Sequence, residues 1–211
     1  MTKVKICGLC RREDIDYINQ TRPDYCGFIV DVPFSSRSVS PEQLSRLGAE
    51  LDRAVCPVGV FVNAPPKLVA HLLNERLIHI AQLHGQENET YLETVRSLCG
   101  SSQKPVLWKA FSISCRQDLD LARKSSADMI LLDHGRGGSG RQFDWSLLAS
   151  PPAGFTRPYI LAGGLSPANI PEAIRRYRPW GIDLSSSVET NGYKDVSKIK
   201  AAIAAVRSVK L

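Results

Sequence analysis

Short apolar runs alternate with amphipathic segments along the whole chain, and their length and period predict the secondary structure. Between the runs, apolar residues recur at intervals of three and four, as in Leu68, Leu72 and Leu73, which predicts helices. Two helices are expected to begin with a serine cap and a proline, at Ser40–Pro41 and Ser166–Pro167. The predicted strands are VKIC (4–7), CGFIV (26–30), VGVFV (58–62), IHIAQL (78–83), PVLWKA (105–110), MILLD (129–133), YILAG (159–163) and GIDLS (181–185).

The order of these elements predicts the fold. Each nearly continuous apolar strand is followed by a helical segment, which is typical of parallel strands covered by helices. Eight such units in 211 residues predict a single-domain (β/α)8 TIM barrel that occupies residues 1–211. A doubly wound open sheet is the alternative, but it usually has fewer strands. In a barrel, the functional residues lie at the C-terminal ends of the strands and in the loops that follow them.

Charge and cysteine content narrow the function classes. The net charge is +6, but the basic residues are spread along predicted helices, which favours solvated faces and attraction for small anions over a nucleic-acid surface. Six scattered cysteines argue against a disulfide framework. No apolar run approaches the ~18 residues that a transmembrane helix needs, and the first residues do not resemble a signal peptide. We therefore expect a cytoplasmic protein that contacts neither nucleic acid nor membrane.

Four side chains of different chemistry follow the predicted strands and are expected at the mouth of the barrel. They are the thiol of Cys7, the guanidinium of Arg37, the imidazole of His84 and the carboxyl group of Asp133. From its position alone, His84 could either bind substrate or have a structural role.

Two loops late in the chain carry small residues suited to a phosphate group. Gly163 and Gly164 follow the seventh strand, and Ser186 and Ser187 follow the eighth. Phosphate sites in such barrels are frequently built from these two loops, where backbone N–H groups face the anion. A third glycine-rich run, HGRGGSG (134–140), lacks the Lys-Ser/Thr ending of a nucleotide-binding loop and is expected to be a flexible active-site loop.

The chain resembles phosphoribosylanthranilate isomerase over most of its length. The matching stretches are KICGL (5–9), GFIV (27–30), SSRSV (35–39), VGVFVN (58–63), QLHG (82–85), LLD (131–133), GGSGRQFDW (137–145), LAGGLSPANI (161–170), GIDLSSSVE (181–189) and GYKD (192–195). The resemblance implies a (β/α)8 barrel of the tryptophan pathway that uses no metal and no organic cofactor. It also implies a small phosphorylated aminosugar as substrate, and we expect a monomer or a homodimer.

The resemblance implies roles for the candidate residues in an Amadori rearrangement of N-(5-phosphoribosyl)anthranilate. Cys7 would be the general base and Asp133 the general acid, while Arg37 would meet the anthranilate carboxylate. We expect the N–H groups at the start of the first helix to favour the thiolate of Cys7. An apolar, partly dehydrated setting would keep Asp133 protonated. His84 is a candidate substrate ligand, and phosphate would bind at the two loops defined above.

Two competing interpretations remain open. Cys7 and Cys10 form a CxxC pair that could be a redox dithiol or half of a zinc site, although no second CxxC supplies the other ligands. The chain could also be a non-catalytic barrel that binds phosphate ligands, because Ser187 stands where the family usually has glycine. Serine is expected to be strained there if the turn needs a positive φ.

Overall fold

A computed structural model describes residues 1–100, 104–134, 144–149 and 155–210. Eight parallel strands form a closed barrel, because the first strand pairs with both the second and the last strand of the ring. The predicted TIM barrel is therefore confirmed. The barrel strands are β1 (Lys3–Cys7), β2 (Tyr25–Val30), β4 (Cys56–Phe61), β5 (Ile80–Leu83), β6 (Val106–Ser112), β7 (Met129–Asp133), β8 (Tyr159–Leu161) and β9 (Gly181–Leu184).

A helix follows each barrel strand and packs on the outside of the barrel. The inner faces of these helices meet the outward-facing residues of the strands in one large apolar cluster, to which Val4 and Ile6 of β1 belong. The helices are α1 (Arg12–Thr21), α2 (Pro41–Ala49), α3 (Pro66–Asn74), α4 (Glu89–Leu98), α5 (Arg116–Lys124), α6 (Ser146–Ala149), α7 (Ile170–Tyr177) and α8 (Val196–Arg207).

The interior of the barrel is closed at its N-terminal end by aromatic side chains. The Tyr25 and Trp108 rings meet edge to face with centroids 5.1 Å apart, and the Trp180 ring lies 5.9 Å from Tyr25. Such contacts stabilise a pair beyond the burial of its area. Because this end is filled, the open space of the barrel lies at the C-terminal ends of the strands.

Three short strands lie outside the eight-strand pattern predicted from the sequence. Strand β3 (Ser38–Val39) pairs with β2, and the hairpin β10 (Glu189–Thr190) and β11 (Tyr193–Lys194) follows β9. Each has only two residues, which is too short to show a period of two. The hairpin places the side chains of Glu189 and Lys194 beside the barrel mouth.

The two predicted helix starts have different outcomes. At Ser40 the prediction is confirmed, because its hydroxyl accepts from the Gln43 N–H at 3.2 Å and Pro41 opens α2. At Ser166–Pro167 it is wrong, because α7 begins at Ile170. Asn169 instead ties the preceding turn together: its side chain accepts from the Ser166 N–H at 2.8 Å and donates to the Gly164 carbonyl at 2.9 Å.

Two further expectations concern membranes and the glycine-rich loop. None of the helices in the described ranges has both the length and the apolar character needed to cross a membrane. Of the predicted flexible loop at 134–140, only His134 is among the described residues.

Candidate active site

An open cleft of about 1120 Å³ lies at the C-terminal ends of the strands. Its walls carry side chains and backbone from every part of the ring, including the loops after β2, β8 and β9. All eight residues that the sequence singles out for catalysis or binding line this one cleft: Cys7, Arg37, His84, Asp133, Gly163, Gly164, Ser186 and Ser187.

Cys7 ends β1 and is 7% exposed. Burial raises the pKa of its thiol above the ordinary value, while the cations of Lys5 and Lys194 act in the opposite direction. The carboxylate of Asp183 also opposes ionisation, so the thiol lies near charges of both signs and ionises less easily than a thiol in water.

The start of helix α1 does not serve Cys7 as the sequence suggested. The helix begins at Arg12, and the carboxylate of Asp14 accepts from the N–H groups of Cys10 and Arg11 at 3.0 and 3.1 Å. The expectation that these donors favour the thiolate of Cys7 is wrong, because a carboxylate of the same helix already binds them.

Directly below Cys7 in the barrel lies a buried ion pair that sequence reasoning missed. The ammonium of Lys5, a residue that is 1% exposed, donates to both carboxylate oxygens of Asp183 at 3.0 and 3.1 Å. Lys5 lies two positions before Cys7 in β1, so both side chains point into the barrel. A lysine at an inward-facing position of a strand was the available signal, since buried lysines are rare unless paired.

Asp133 ends β7 on another side of the cleft, three strands from β1 around the ring. One of its oxygens accepts from the His134 N–H at 2.7 Å, and the other lies 3.5 Å from Nε2 of His84. The Nδ1 atom of His84 lies 3.0 Å from the side-chain amide of Gln82. With that amide donating to Nδ1, the ring proton lies on Nε2 and faces Asp133.

Arg37 enters the cleft from the loop after β2. Its Nε and Nη2 atoms donate to the two oxygens of Glu189 at 2.7 and 2.6 Å, and Lys194 donates to the same carboxylate. Burial opposes the charge of Glu189, but its hydrogen bonds and charge pairing with Arg37 and Lys194 hold its pKa below the usual value. Within the described ranges, Nη1 of Arg37 makes no hydrogen bond, so one edge of the guanidinium is available to a ligand.

The two predicted phosphate loops face the same end of the cleft. Gly163 and Gly164 have φ of 76° and 69°, which L side chains rarely adopt. Ser186–Val188 forms one turn of 3-10 helix after β9. In the part of the chain that the structure describes, the N–H groups of Gly164, Ser186 and Ser187 make no hydrogen bond, so these three donors are available to an anion.

The expected strain at Ser187 is absent. Ser187 lies inside the 3-10 turn and does not have a positive φ. The expectation that serine is strained in place of glycine is therefore wrong, because this right-handed turn suits any L residue.

The CxxC pair remains two free thiols. Cys7 is buried and Cys10 is half-buried, and neither is part of a disulfide. Across residues 1–100, 104–134, 144–149 and 155–210, no cluster of three or more His, Cys, Asp or Glu side chains could hold a metal ion. The alternatives based on a dithiol or on zinc gain no support from this geometry.

Comparison with known proteins places these observations in a family. The family model for N-(5'-phosphoribosyl)anthranilate (PRA) isomerase matches residues 4–205. The N-(5'-phosphoribosyl)anthranilate isomerase of Acetivibrio thermocellus is 40% identical, over 98% of this chain and 96% of the relative.

Solved structures agree. The phosphoribosyl anthranilate isomerase of Thermus thermophilus is 34% identical with a TM-score of 0.85, over 99% of this chain and 100% of the other. A phosphoribosyl anthranilate isomerase in complex with reduced 1-(o-carboxyphenylamino)-1-deoxyribulose 5-phosphate has 33% identity and a TM-score of 0.83 over the same shares. The chain belongs to the phosphoribosylanthranilate isomerase family.

Proposed function

We propose that the chain converts N-(5-phosphoribosyl)anthranilate to 1-(2-carboxyphenylamino)-1-deoxyribulose 5-phosphate in tryptophan biosynthesis, with Cys7 as general base and Asp133 as general acid. The observation that carries these roles is the geometry of the cleft. A thiol and a carboxyl group approach it from strands three positions apart, and free backbone donors of the loops after β8 and β9 line the same cleft. One bound sugar phosphate can therefore meet both groups at once.

The reaction needs two proton transfers. Asp133 gives a proton to the furanose ring oxygen, the bond from that oxygen to C1 breaks, and the nitrogen lone pair forms the C1 imine. The thiolate of Cys7 then takes the proton from C2, and the electrons of that bond form the enolamine, which tautomerises to the ketone. General acid–base catalysis of this kind typically contributes about 10²- to 10⁴-fold each.

The other candidate residues hold the two ends of the substrate. The free edge of Arg37 can donate to the anthranilate carboxylate, for which a planar set of donors is suited. The N–H groups of Gly164, Ser186 and Ser187 can bind the phosphate, with Gly163 allowing its close approach. His84 contacts Asp133, so it can orient the acid as well as touch the substrate.

A non-catalytic phosphate-binding barrel is the second candidate. It was suggested by Ser187 in place of glycine, and the right-handed turn accommodates that serine without backbone strain. The presence of both Cys7 and Asp133 in one cleft favours catalysis.

We further propose that residues 1–211 act as one domain in the cytoplasm, as a monomer or a homodimer and without a nucleic-acid partner. The related phosphoribosylanthranilate isomerase of Thermotoga maritima is dimeric. The basic residues of this chain are distributed over its helices rather than gathered on one of them, which supports a small-molecule partner.

A direct assay tests the proposed reaction. Purified protein is mixed with freshly prepared N-(5-phosphoribosyl)anthranilate, and loss of anthranilate-type fluorescence is followed with and without a chelator. We expect turnover that the chelator leaves unchanged. Binding of the sugar phosphate without turnover would support the non-catalytic barrel instead.

A further inference from the structure

Lys5 and Cys7 meet inside the barrel over the backbone of Gly27. A side-chain carbon built on Gly27 would lie 2.8 Å from Sγ of Cys7 and 3.0 Å from Nζ of Lys5. Both atoms therefore occupy the space that any larger residue at position 27 would need. Glycine in the middle of β2 leaves room for an ammonium and a thiol side by side.

The ammonium of Lys5 holds its proton more firmly than an ordinary lysine. Burial opposes it, but the carboxylate of Asp183, together with Cys7, holds the pKa of Lys5 above its ordinary value. An ammonium has three donors, and the two oxygens of Asp183 accept from it on one side. The cation can therefore be shared between the carboxylate and a sulfur.

We propose that Lys5 is a positioning residue for the base, whose fixed ammonium stabilises the thiolate of Cys7 inside the barrel, and that Asp183 holds this ammonium in place. The proposal rests on the proposed role of Cys7. Burial alone would make the thiol a poor source of thiolate, since transfer of an anion into an apolar interior is costly. A cation in direct reach offsets that cost without contacting the substrate.

Other charged groups also face Cys7, but none of them lies beside the thiol over Gly27 as Lys5 does. They lie on β9 and β11, in the loop after β2 and across the cleft: Asp183, Lys194, Arg37, Asp133 and His84. Lys194 and Arg37 are both engaged by Glu189, and Asp183, whose pKa burial raises despite the charge of Lys5, supplies no positive charge. Lys5 is the cation whose removal should change the ionisation of Cys7 most.

The test measures thiolate formation rather than turnover. Ultraviolet absorbance of the thiolate is titrated against pH in the wild type and in Lys5→Met, each as the difference from the same protein carrying Cys7→Ala. We expect the midpoint for Cys7 to rise by about one to three pH units in Lys5→Met, which is the usual effect of losing an opposite charge in contact.

The matched control is Lys109→Met. Lys109 is also a buried barrel lysine, and its ammonium lies 3.2 Å from Glu87 and donates to the carbonyls of Leu83 and Gly85. The substitution Lys109→Met removes a buried ammonium of the same type elsewhere in the ring, so the titration midpoint of Cys7 should not change. An equal shift in both variants would overturn the proposal.

A second variant covers loss of folding. Lys5→Met leaves Asp183 without its partner, whereas Lys5→Met/Asp183→Asn removes both charges and retains side chains of similar size. We expect the Cys7 midpoint to rise in the double variant as well, by less than in Lys5→Met. An unchanged midpoint in either folded variant would overturn the role of Lys5. Because the titration needs no substrate, it separates this result from a wild type that titrates normally but lacks isomerase activity, which would defeat the proposed function instead.

Discussion

The two sides of the cleft hold the two groups proposed for proton transfer in different ways. Around Cys7, on the side of β1 and β9, full charges are buried in contact: Lys5 with Asp183, and Arg37 and Lys194 with Glu189. Around Asp133, on the side of β5 and β7, the contacts are a backbone N–H and one imidazole. The thiol therefore lies among buried charge pairs, whereas the carboxyl group is oriented by hydrogen-bond contacts.

The largest effect should come from removing either proton-transfer group. Cys7→Ala and Asp133→Asn should each lower kcat by about 10²- to 10⁴-fold or more, since each is the only group proposed for its step. Steady-state kinetics measure this, with sugar phosphate binding expected to remain. Cys10→Ala is the control and should be close to neutral. Equal losses at Cys7 and Cys10 would point to a dithiol.

The stability of the protein should also depend strongly on Glu189, on the charged side of the cleft. Glu189→Gln leaves Lys194, whose side chain is 1% exposed, without its carboxylate. Loss of one partner of a buried pair typically costs about 3 to 5 kcal/mol, which urea denaturation at neutral pH would measure. Glu50→Gln breaks an exposed pair with Arg12 and should cost about 0 to 1 kcal/mol.

The pH dependence of this stability difference has a defined sign. The pKa of Glu189 is lowered in the folded protein, so its contribution is complete above the pKa of an unfolded glutamate. It should be lost as the pH falls through the lowered folded value. Wild type and Glu189→Gln should therefore converge in stability in acid, and a constant difference across this range would contradict the ion-pair account.

The pH dependence of wild-type activity should follow the ionisation of the Cys7 thiol. Because burial raises the pKa of Cys7, kcat/KM should increase with pH until Cys7 loses its proton, above the ordinary range of a cysteine. A pH series of kcat/KM, corrected for substrate stability, measures this. A rate that is already independent of pH in mild acid would show that Cys7 is ionised there and that burial does not control it.

The smallest effect is expected at Ser187, which has no part in either proposed proton transfer. Since Ser187 has no positive φ, glycine relieves no strain and removes a hydroxyl while adding flexibility. Ser187→Gly should raise KM by a few-fold, roughly 1 kcal/mol or less, with kcat unchanged. Kinetics of the two forms decide this. A lower KM in the glycine variant would mean that the serine side chain obstructs the phosphate.

Much of the fold was predictable because the barrel strands are continuous apolar runs. The eight strands, their order and the cap at Ser40 follow from local pattern alone. The hairpin Glu189–Lys194 does not, because two-residue strands carry no period. Nor does the start of α7, because the side chain of Asn169 accepts from the Ser166 N–H and closes a turn before the helix.

Individual residues of the candidate site were predictable from the sequence, but the contacts between them were not. The rule that loops after barrel strands carry function brought Cys7, Asp133 and the phosphate loops to the right end. It could not reveal which charges neutralise each other, because Lys5 and Asp183 are 178 residues apart in the chain. Nor could it give the sign of φ at Ser187, which depends on how β9 leads into the 3-10 turn.

The two residues of the Lys5–Asp183 contact are synthesised at very different times. At the usual rate of translation, the ribosome needs on the order of ten seconds or more to add the residues between them. During that time β1 exists without β9, the strand that supplies the carboxylate of the ion pair and closes the ring. The thiol of the nascent chain is then an ordinary, solvated cysteine that alkylating and oxidising agents can reach. Newly made chains should therefore be more vulnerable at Cys7 than the folded enzyme.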